Sequence, residues 1–416
     1  LDKAGTSWLV QFVHTVCKER TMLRFIAFLA LFLAVTARSN PRVSHIAYRD
    51  WVNRWQNFDS SFFQNANKDS ADLTGWKPAA FNFNCTVEPS PSPPTSVHAL
   101  RPSDFAVVAA FGDSIMAGNG VLSDIITDVA FQNRHHSAYG GGAGDIASGV
   151  RTMPNVLKLF NTDLTGYSTD ESSAGDPEAG MNVAVPGCTA HCMLDQATDL
   201  VNQMIDSADI DIDNDWKVVN ILIGGNDLCR SCNDQDYYSA ARYVEEIQNS
   251  IDHLFENSPR TLVNVVPMFD ITPLPEMSDG IMCDTLHDMF CGCVTDDATR
   301  PGLKPLQEAY VRGLHDMVNS DRYETRDDFT VVIQTGLEDA TPPRLPSGEV
   351  DRSFWSPDCF HPGTKAHYVI GIQLWNTMLQ PVGQKQTLVN WVEPGQDPIS
   401  CPTAERPYVY TRRNSS

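Results

Sequence analysis

Five short apolar runs, separated by longer amphipathic stretches, constrain the fold of this chain more than any other feature of its sequence. The runs lie at 105–111, 183–185, 218–223, 262–266 and 329–333. They are apolar at nearly every position, which is typical of strands buried on both faces of a parallel sheet. Helical patterns lie between them, at 153–160, 191–206, 239–257, 302–320 and 364–379. The alternation predicts a right-handed α/β sandwich on a mainly parallel, five-stranded sheet.

The N-terminal region has the pattern of a targeting segment. The chain begins at Leu1, and its first methionine, Met22, opens a short basic start, an apolar run at 25–35 and then small residues. This order predicts a signal peptide at 22–37, and it places 1–21 upstream of the true start. A membrane anchor is disfavoured because the apolar run is too short to span a bilayer. The remaining divisions that we expect are an extension with a Pro-rich connector at 38–100, the folded domain at 101–385 and a tail at 386–416.

The cysteine count favours an exported protein with disulfide bonds. Of 11 cysteines, Cys17 lies in the leader, and the even number that remains is typical of disulfide pairing in an exported chain. The pairs at 229/232 and 291/293 could also bind zinc, but no histidine follows at the spacing of a zinc finger. The sequence does not determine which cysteines pair with one another. Sequons at 84–86 and 414–416 are candidate glycosylation sites, so the sequence predicts a secreted, extracellular glycoprotein.

Charge excludes several kinds of partner. The formal net charge is −22, and the chain has no cluster of Lys or Arg. A chain this acidic is not expected to bind nucleic acid, nor to bind anionic membranes through charge. The sequence predicts no transmembrane segment in the mature chain, and the polar C-terminal tail lacks the apolar stretch of a lipid-anchor signal. We expect a monomer.

A candidate nucleophile follows the first apolar run directly. The run ends in Gly112-Asp113-Ser114, and a helix-like stretch comes next. In an open parallel sheet, the carboxyl ends of the strands are where active sites form. A serine on a glycine turn at such an end can offer an exposed hydroxyl as nucleophile and its backbone N–H to an oxyanion.

Two more run ends carry hydrogen-bond donors. The run at 183–185 is followed by Pro186-Gly187, and the run at 218–223 by Gly224-Gly225-Asn226-Asp227. Gly187 can offer a backbone N–H, and Asn226 a side-chain amide. Each segment alone is an ordinary turn. Three donors at neighbouring strand ends predict an oxyanion hole made by Ser114, Gly187 and Asn226.

Two Asp-x-x-His segments offer a histidine that could act as the general base. Asp358-Cys359-Phe360-His361 follows the last run, and one short loop of this kind can present both members of an Asp–His pair. Asp284 and His287 repeat the spacing, but they lie in a Cys-rich stretch at 282–293 that we interpret as an inserted, disulfide-tied loop with a solvated Asp–His face. We therefore predict a catalytic triad of Ser114, His361 and Asp358. Its base is active when neutral, so activity should fall as pH drops through roughly 6 to 7.

Other hydrolase templates fit the sequence less well. There is no Gly-x-Ser-x-Gly, which disfavours the α/β-hydrolase nucleophile elbow, and no His-Glu-x-x-His. The predicted chemistry needs neither a metal nor a cofactor. A disulfide at Cys359, between the two loop residues of the triad, would stiffen that loop.

Together these residues resemble the GDSL/SGNH hydrolases, whose motif blocks contribute Ser, Gly, Asn and His, here Ser114, Gly187, Asn226 and His361. Over about 95–402 the chain also resembles the animal phospholipase B repeat. The strings that carry this likeness lie at 100–114, 152–155, 164–166, 223–229, 323–332, 358–361 and 374–385.

The resemblance implies a flavodoxin-like three-layer α/β/α fold, with an SGNH hydrolase domain at 101–385. It also implies metal-independent hydrolysis of phospholipid and lysophospholipid esters through an acyl-enzyme, with transient contact with lipid aggregates or a membrane surface. Pro186, Cys188 and Cys192 depart from the family pattern around Gly187. Two alternatives stay open: a carbohydrate or small-ester O-acyl esterase, and a catalytically silent secreted lipid-binding protein.

Overall fold

Four parallel strands form the sheet of the computed structural model, which describes residues 83, 85–393, 395–396 and 398–415. They are β1 (Phe105–Gly112), β2 (Trp216–Leu222), β3 (Thr261–Val266) and β4 (Phe329–Ile333), hydrogen-bonded in the order β1-β2-β3-β4. Every residue of β2, β3 and β4 is buried, which explains their unbroken apolar sequences. The predicted signal peptide at 22–37 and the leader at 1–21 lie outside the described residues.

The fifth predicted strand, at 183–185, is present only as a short paired segment. Asn182 forms an isolated parallel bridge with Ala110, and the Val183 N–H donates to the Ala110 carbonyl at 2.9 Å. The Val185 N–H donates to the Gly112 carbonyl at 3.1 Å, and the pairing stops there because Gly112 is the last residue of β1. The predicted α/β class is therefore confirmed with four strands rather than five. With the segment counted beside β1, the strand order matches the 2-1-3-4-5 pattern of flavodoxin-like sheets.

Helices form two packed groups around the sheet. α2 packs against α4 and α4 against α6, whereas α7 packs against α1. The α-helices are α1 (Met153–Leu157), α2 (Met193–Asp206), α3 (Gly225–Arg230), α4 (Ala240–Asn257), α5 (Ile281–Thr295), α6 (Leu303–Asn319) and α7 (Thr364–Met378). Short 3-10 turns lie at Val97–Ala99, Pro102–Asp104, Ile126–Ala130, Arg134–His136, Pro177–Ala179, Ala190–Cys192, Leu274–Met277, Arg300–Gly302, Thr335–Leu337 and Arg352–Phe354.

The Cys-rich stretch at 282–293 is not a loop, as the sequence suggested, but most of helix α5. Cys283, Leu286, His287 and Cys291 recur at helical spacing, and all four side chains are buried. The backbone leaves helical geometry at Cys291, near the end of α5. The helical spacing of these four residues is the sequence signal that predicts a helix here.

Ten cysteines of the described residues form five disulfides, so the predicted disulfide bonding is confirmed. The pairs are Cys85–Cys401, Cys188–Cys192, Cys229–Cys291, Cys232–Cys293 and Cys283–Cys359. The four cysteines weighed as zinc ligands are bonded to one another and cannot bind a metal as thiolates. The Cys85–Cys401 bond fastens the C-terminal tail to the segment that precedes β1, and the Val409 N–H donates to the Leu100 carbonyl at 2.9 Å.

Candidate active site

The turn that carries Ser114 begins at the last residue of β1. A side chain at Gly112 is excluded because a Cβ there would lie 2.0 Å from the carbonyl oxygen of Leu222. The side-chain amide of Gln196, on α2, pairs with the Gly112 backbone: it accepts from the N–H and donates to the carbonyl, each at 2.9 Å. These contacts hold the end of β1 against its neighbours, and they fix the direction in which the chain leaves the sheet.

Ser114, His361 and Asp358 form a hydrogen-bonded chain. The Nε2 atom of His361 lies 2.8 Å from Ser114 Oγ, and its Nδ1 lies 2.6 Å from Asp358 Oδ2. A carboxylate only accepts, so Nδ1 carries the proton in the neutral ring and Nε2 is left to accept from the hydroxyl. This is the tautomer that a general base for Ser114 requires.

The carboxylate of Asp358 is buried and fully engaged. Its Oδ1 accepts from the backbone N–H groups of Phe360, at 3.0 Å, and His361, at 2.9 Å, and also from the Ser356 hydroxyl. Burial alone would raise the pKa of Asp358, but His361 and these donors outweigh it and lower the pKa to about 2. Asp358 is therefore an anion that holds His361 in one orientation.

The three predicted oxyanion donors are placed around the same strand ends. The Asn226 side chain donates to the Cys188 carbonyl at 3.0 Å, which ties the start of α3 to the turn that contains Gly187. Gly187 has φ +77°, a conformation that favours glycine. In the part of the chain that the structure describes, neither the Ser114 nor the Gly187 backbone N–H donates to a protein acceptor. Both groups are therefore available to a ligand, as is the second N–H of the Asn226 amide.

A cleft of about 480 Å³, open to solvent, lies in front of Ser114. Its polar members are Asp113, Ser114 and Asn226, and its other walls are mostly apolar. The apolar side chains are Ile115, Met268, Phe269, Ile271, Leu274, Met277, Trp355 and Phe360. A reacting group at Ser114 would therefore sit at the polar end of an apolar cleft, as expected where a polar ester adjoins a hydrocarbon chain.

Two buried carboxylates at the site were not predicted. Asp113 accepts from the Ile115 N–H at 2.9 Å, and Asp227 accepts from the Ala190 N–H at 3.1 Å. Burial raises the pKa of Asp113 to about 7 and that of Asp227 to about 6, although these hydrogen bonds oppose the shift. Each stands next to a predicted site residue, and this adjacency is the signal that could have identified them.

His287 does not lie on a solvated face, as the sequence suggested. It is 1% exposed, and its Nε2–H donates at 2.9 Å to the carbonyl of Cys359, inside the loop that holds Asp358 and His361. The Cys283–Cys359 disulfide joins the same two segments. Cys359 itself has φ +57°, in the left-handed region. Helix α5 thus holds the loop through a covalent bond and a hydrogen bond.

The fold and the family comparison agree on the class of the chain. Residues 108–374 match the family described as GDSL-like lipase/acylhydrolase, and the chain belongs to this family. The predicted class of enzyme, an ester hydrolase, is thereby confirmed at the level of the family.

Within this family, the chain is similar to particular phospholipases. The chain is 40% identical over 337 residues to human "Phospholipase B1, membrane-associated" and 38% identical to the mouse protein of that name; each match covers 79% of this chain. The chain spans 23% of the length of these relatives. The predicted resemblance to animal phospholipase B is confirmed. A solved phospholipase A1 from Streptomyces albidoflavus NA297 is 15% identical, with a TM-score of 0.30 over 64% of this chain and 96% of that chain.

These relatives correct the predicted location. We expected a secreted, extracellular protein, but the human, mouse and rat relatives that this chain matches are named membrane-associated, so the prediction of free secretion is wrong. Among the helices of the described residues, none combines the length and the apolar character needed to cross a membrane.

Proposed function

We propose that this chain hydrolyses acyl esters of phospholipids and lysophospholipids through an acyl-enzyme on Ser114. The observation that carries the proposal is the hydrogen-bonded chain from Ser114 through His361 to Asp358, at the polar end of an apolar cleft. A free serine hydroxyl is a weak nucleophile, and a neutral imidazole at hydrogen-bond distance is what activates it.

In the first half of the proposed cycle, Ser114 Oγ attacks the ester carbonyl carbon while its proton passes to His361 Nε2. The carbonyl oxygen becomes an oxyanion, which the Ser114 and Gly187 N–H groups and the Asn226 amide stabilise. Asp358 stabilises the imidazolium that forms. The imidazolium gives its proton to the leaving alcohol, and an acyl ester of Ser114 remains. Water then attacks this ester with His361 again as base, which releases the fatty acid and restores the serine.

The substrate class is argued from the cleft and from the relatives. Ile115, Ile271 and Leu274 offer a hydrocarbon surface that suits an acyl chain, and burial of each CH₂ group favours binding by about 0.8 kcal/mol. A sugar ester would bring many hydroxyls that these walls leave unpaired. The relatives are phospholipases by name and are named membrane-associated. We propose that the chain likewise acts on lipid at a membrane surface.

The test is a hydrolysis assay on purified protein, with lysophosphatidylcholine, diacyl phosphatidylcholine and a water-soluble acetyl ester as substrates. Wild type should release fatty acid from both lipids, and Ser114→Ala should lose on the order of a million-fold in turnover. Ser347→Ala is the matched control because Ser347 is exposed and lies in a loop outside the cleft. Labelling of Ser114 by a fluorophosphonate reports an intact site without lipid.

Each outcome has a distinct meaning. Labelling with hydrolysis of the acetyl ester alone would identify a small-ester esterase and refute the lipid substrate. Absence of both labelling and hydrolysis in a folded protein would identify a silent binding protein. Equal loss in the Ser114→Ala and Ser347→Ala variants would refute the assignment of the nucleophile.

A further inference from the structure

The segment from Asn119 to Gln132, here called the 119–132 loop, begins and ends beside the proposed catalytic residues. Asn119 and Gln132 form an antiparallel bridge that closes its base. The Asn119 N–H donates to the Ser114 carbonyl at 3.0 Å, and a Cβ at Gly120 would lie 3.0 Å from the Cβ of His361. The base of the loop is thus fixed directly against both Ser114 and His361.

Beyond this base, the loop exposes large apolar side chains. Leu122 is 41%, Ile125 50% and Phe131 48% exposed. These are three of the 11 large apolar side chains that are exposed in the described residues, and they fall within ten positions of the chain. Leaving such groups in water is unfavourable, and a group of them on one short loop beside a site is typical of a surface where a partner docks.

The loop is held in place, so the exposure belongs to a defined structure. The Asn119 side chain donates to the Val129 carbonyl at 2.9 Å, and the Asn133 N–H donates to the Gly118 carbonyl at 3.2 Å. The Thr364 hydroxyl, on α7, donates to the Val121 carbonyl. Because these bonds satisfy the backbone near its base, the loop can present its apolar side chains without unfolding.

We propose that the 119–132 loop docks on the surface of a zwitterionic phospholipid layer, with Leu122, Ile125 and Phe131 inserted among the lipids. The inference rests on the proposed lipid substrate, because docking here would bring Ser114 and His361 to the lipid that they hydrolyse. Apolar side chains that enter the boundary between headgroups and acyl chains supply binding through the area they bury.

Charge decides which lipid surface fits. Asp124 is exposed on the loop, and Asp170 and Glu171 are exposed in a neighbouring segment. The Ser172 N–H donates to the Gln132 carbonyl at 3.2 Å, which places the 170–172 segment at the base of the loop. This acidic surrounding repels an anionic surface and leaves a zwitterionic one as the fitting partner.

The test compares Ile125→Ser/Phe131→Ser with a matched control, Val87→Ser/Ile205→Ser. Val87 and Ile205 are 41% and 57% exposed. Val87 precedes β1, and Ile205 ends α2 ahead of β2, so both lie toward the opposite end of the strands from Ser114. Binding to phosphatidylcholine vesicles is measured by co-sedimentation in the Ser114→Ala background, where no turnover occurs. Hydrolysis of the same vesicles and of the soluble acetyl ester is measured with Ser114 present.

The loop variant should bind vesicles roughly ten- to a hundredfold more weakly, because two apolar side chains that would be partly buried in the lipid layer are lost. It should keep its rate on the soluble ester. Ile125→Trp should strengthen binding, since Trp favours the lipid–water boundary. Replacing part of the phosphatidylcholine by phosphatidylserine should weaken wild-type binding. Unchanged vesicle binding in the loop variant, or an equal loss in the control, would overturn the inference. Loop-dependent binding without phospholipid hydrolysis by wild type would refute the proposed substrate alone.

Discussion

Two segments of this chain share the pattern Asp-x-x-His, and their side chains have opposite environments. In the 358–361 segment the aspartate is buried and bonded to its own histidine at 2.6 Å. In the 284–287 segment the histidine is buried, and the aspartate is exposed and accepts from Ser278 at 2.5 Å. The difference lies in the backbone. A turn bends His361 back over Asp358, whereas helix α5 directs His287 inward and Asp284 toward solvent.

The comparison also shows that the second segment supports the first. His287 donates to the Cys359 carbonyl, so the buried histidine of α5 contacts the loop that holds the proposed base. Pattern alone therefore does not identify a catalytic pair, and a residue excluded as a base can still position one.

The largest expected effect separates the two histidines. His361→Ala should lower turnover on the order of a million-fold because no other base is in contact with Ser114 Oγ among the described residues. His287→Ala should lower it only about tenfold, through loss of one hydrogen bond to the loop. Steady-state kinetics on a soluble ester checks both, and fluorophosphonate labelling of the same samples checks the site. A larger loss in His287→Ala than in His361→Ala would reverse the assignment of the base.

The two aspartates should differ almost as much. Asp358→Asn should cost roughly ten-thousand-fold in turnover, because an amide no longer fixes the proton on Nδ1 of His361. Asp284→Asn is the matched control and should stay within about twofold of wild type, since Asp284 is exposed and its carboxylate accepts from Ser278, away from Ser114 and His361. The measurement is kcat on the soluble ester at neutral pH. A mild effect at Asp358 would show that the hydrogen bonds of its loop suffice to orient His361.

Much of the fold was accessible from sequence because it is encoded locally. The strands β1 to β4 and helices such as α2, α4 and α6 follow from runs and periods of apolar residues within 20 positions. The segment at 183–185 has the same composition as a strand, yet it pairs only briefly because it meets β1 at the end of that strand, at Ala110 and Gly112.

Other features of the site depend on contacts between distant positions. The structure brings Ser114 and His361 together across 247 positions, which the sequence suggested through the rule that strand ends converge and through the resemblance of its motifs to a known family. No comparable rule predicts the hydrogen bond from His287 to the Cys359 carbonyl, which spans 72 positions. The burial of Asp113 follows from packing at the end of β1, which composition does not reveal.

The Cys283–Cys359 disulfide offers a third way to test the support that α5 gives. Its removal by Cys283→Ala/Cys359→Ala should lower the free energy of unfolding by roughly 2–4 kcal/mol. It should also lower kcat at a temperature where the variant stays folded, because the loop between Asp358 and His361 loses its covalent attachment. Cys85→Ala/Cys401→Ala is the control: it opens a longer loop, of 316 positions, but lies at the tail. Urea unfolding measures the stability of both variants, and steady-state kinetics measures their kcat. A fall in kcat in both variants would mean that the Cys283–Cys359 bond affects activity only through overall stability.

The smallest expected effect is in the pH dependence of stability, and it again distinguishes the two segments. Burial lowers the pKa of His287, opposed by its bond to Cys359, so the unfolded chain takes up protons before the folded one does. His287 therefore costs stability progressively as pH falls below about 6.5, its ordinary value. Asp358, with its pKa lowered to about 2, contributes stability that is lost only as pH falls from about 4 through 2.

His287→Gln keeps a donor for the Cys359 carbonyl and removes the titration. Relative to wild type, the variant should therefore gain stability as pH falls from 7.5 to 5.5, in urea unfolding followed at each pH. Lysine or arginine in place of His287 would bury a charge, so neither is a suitable variant. Unfolding free energies that stay parallel across this range would mean that His287 is protonated in the folded protein as readily as in the unfolded chain. In that case the contact of α5 with the loop would contribute the same stability at pH 5.5 as at pH 7.5.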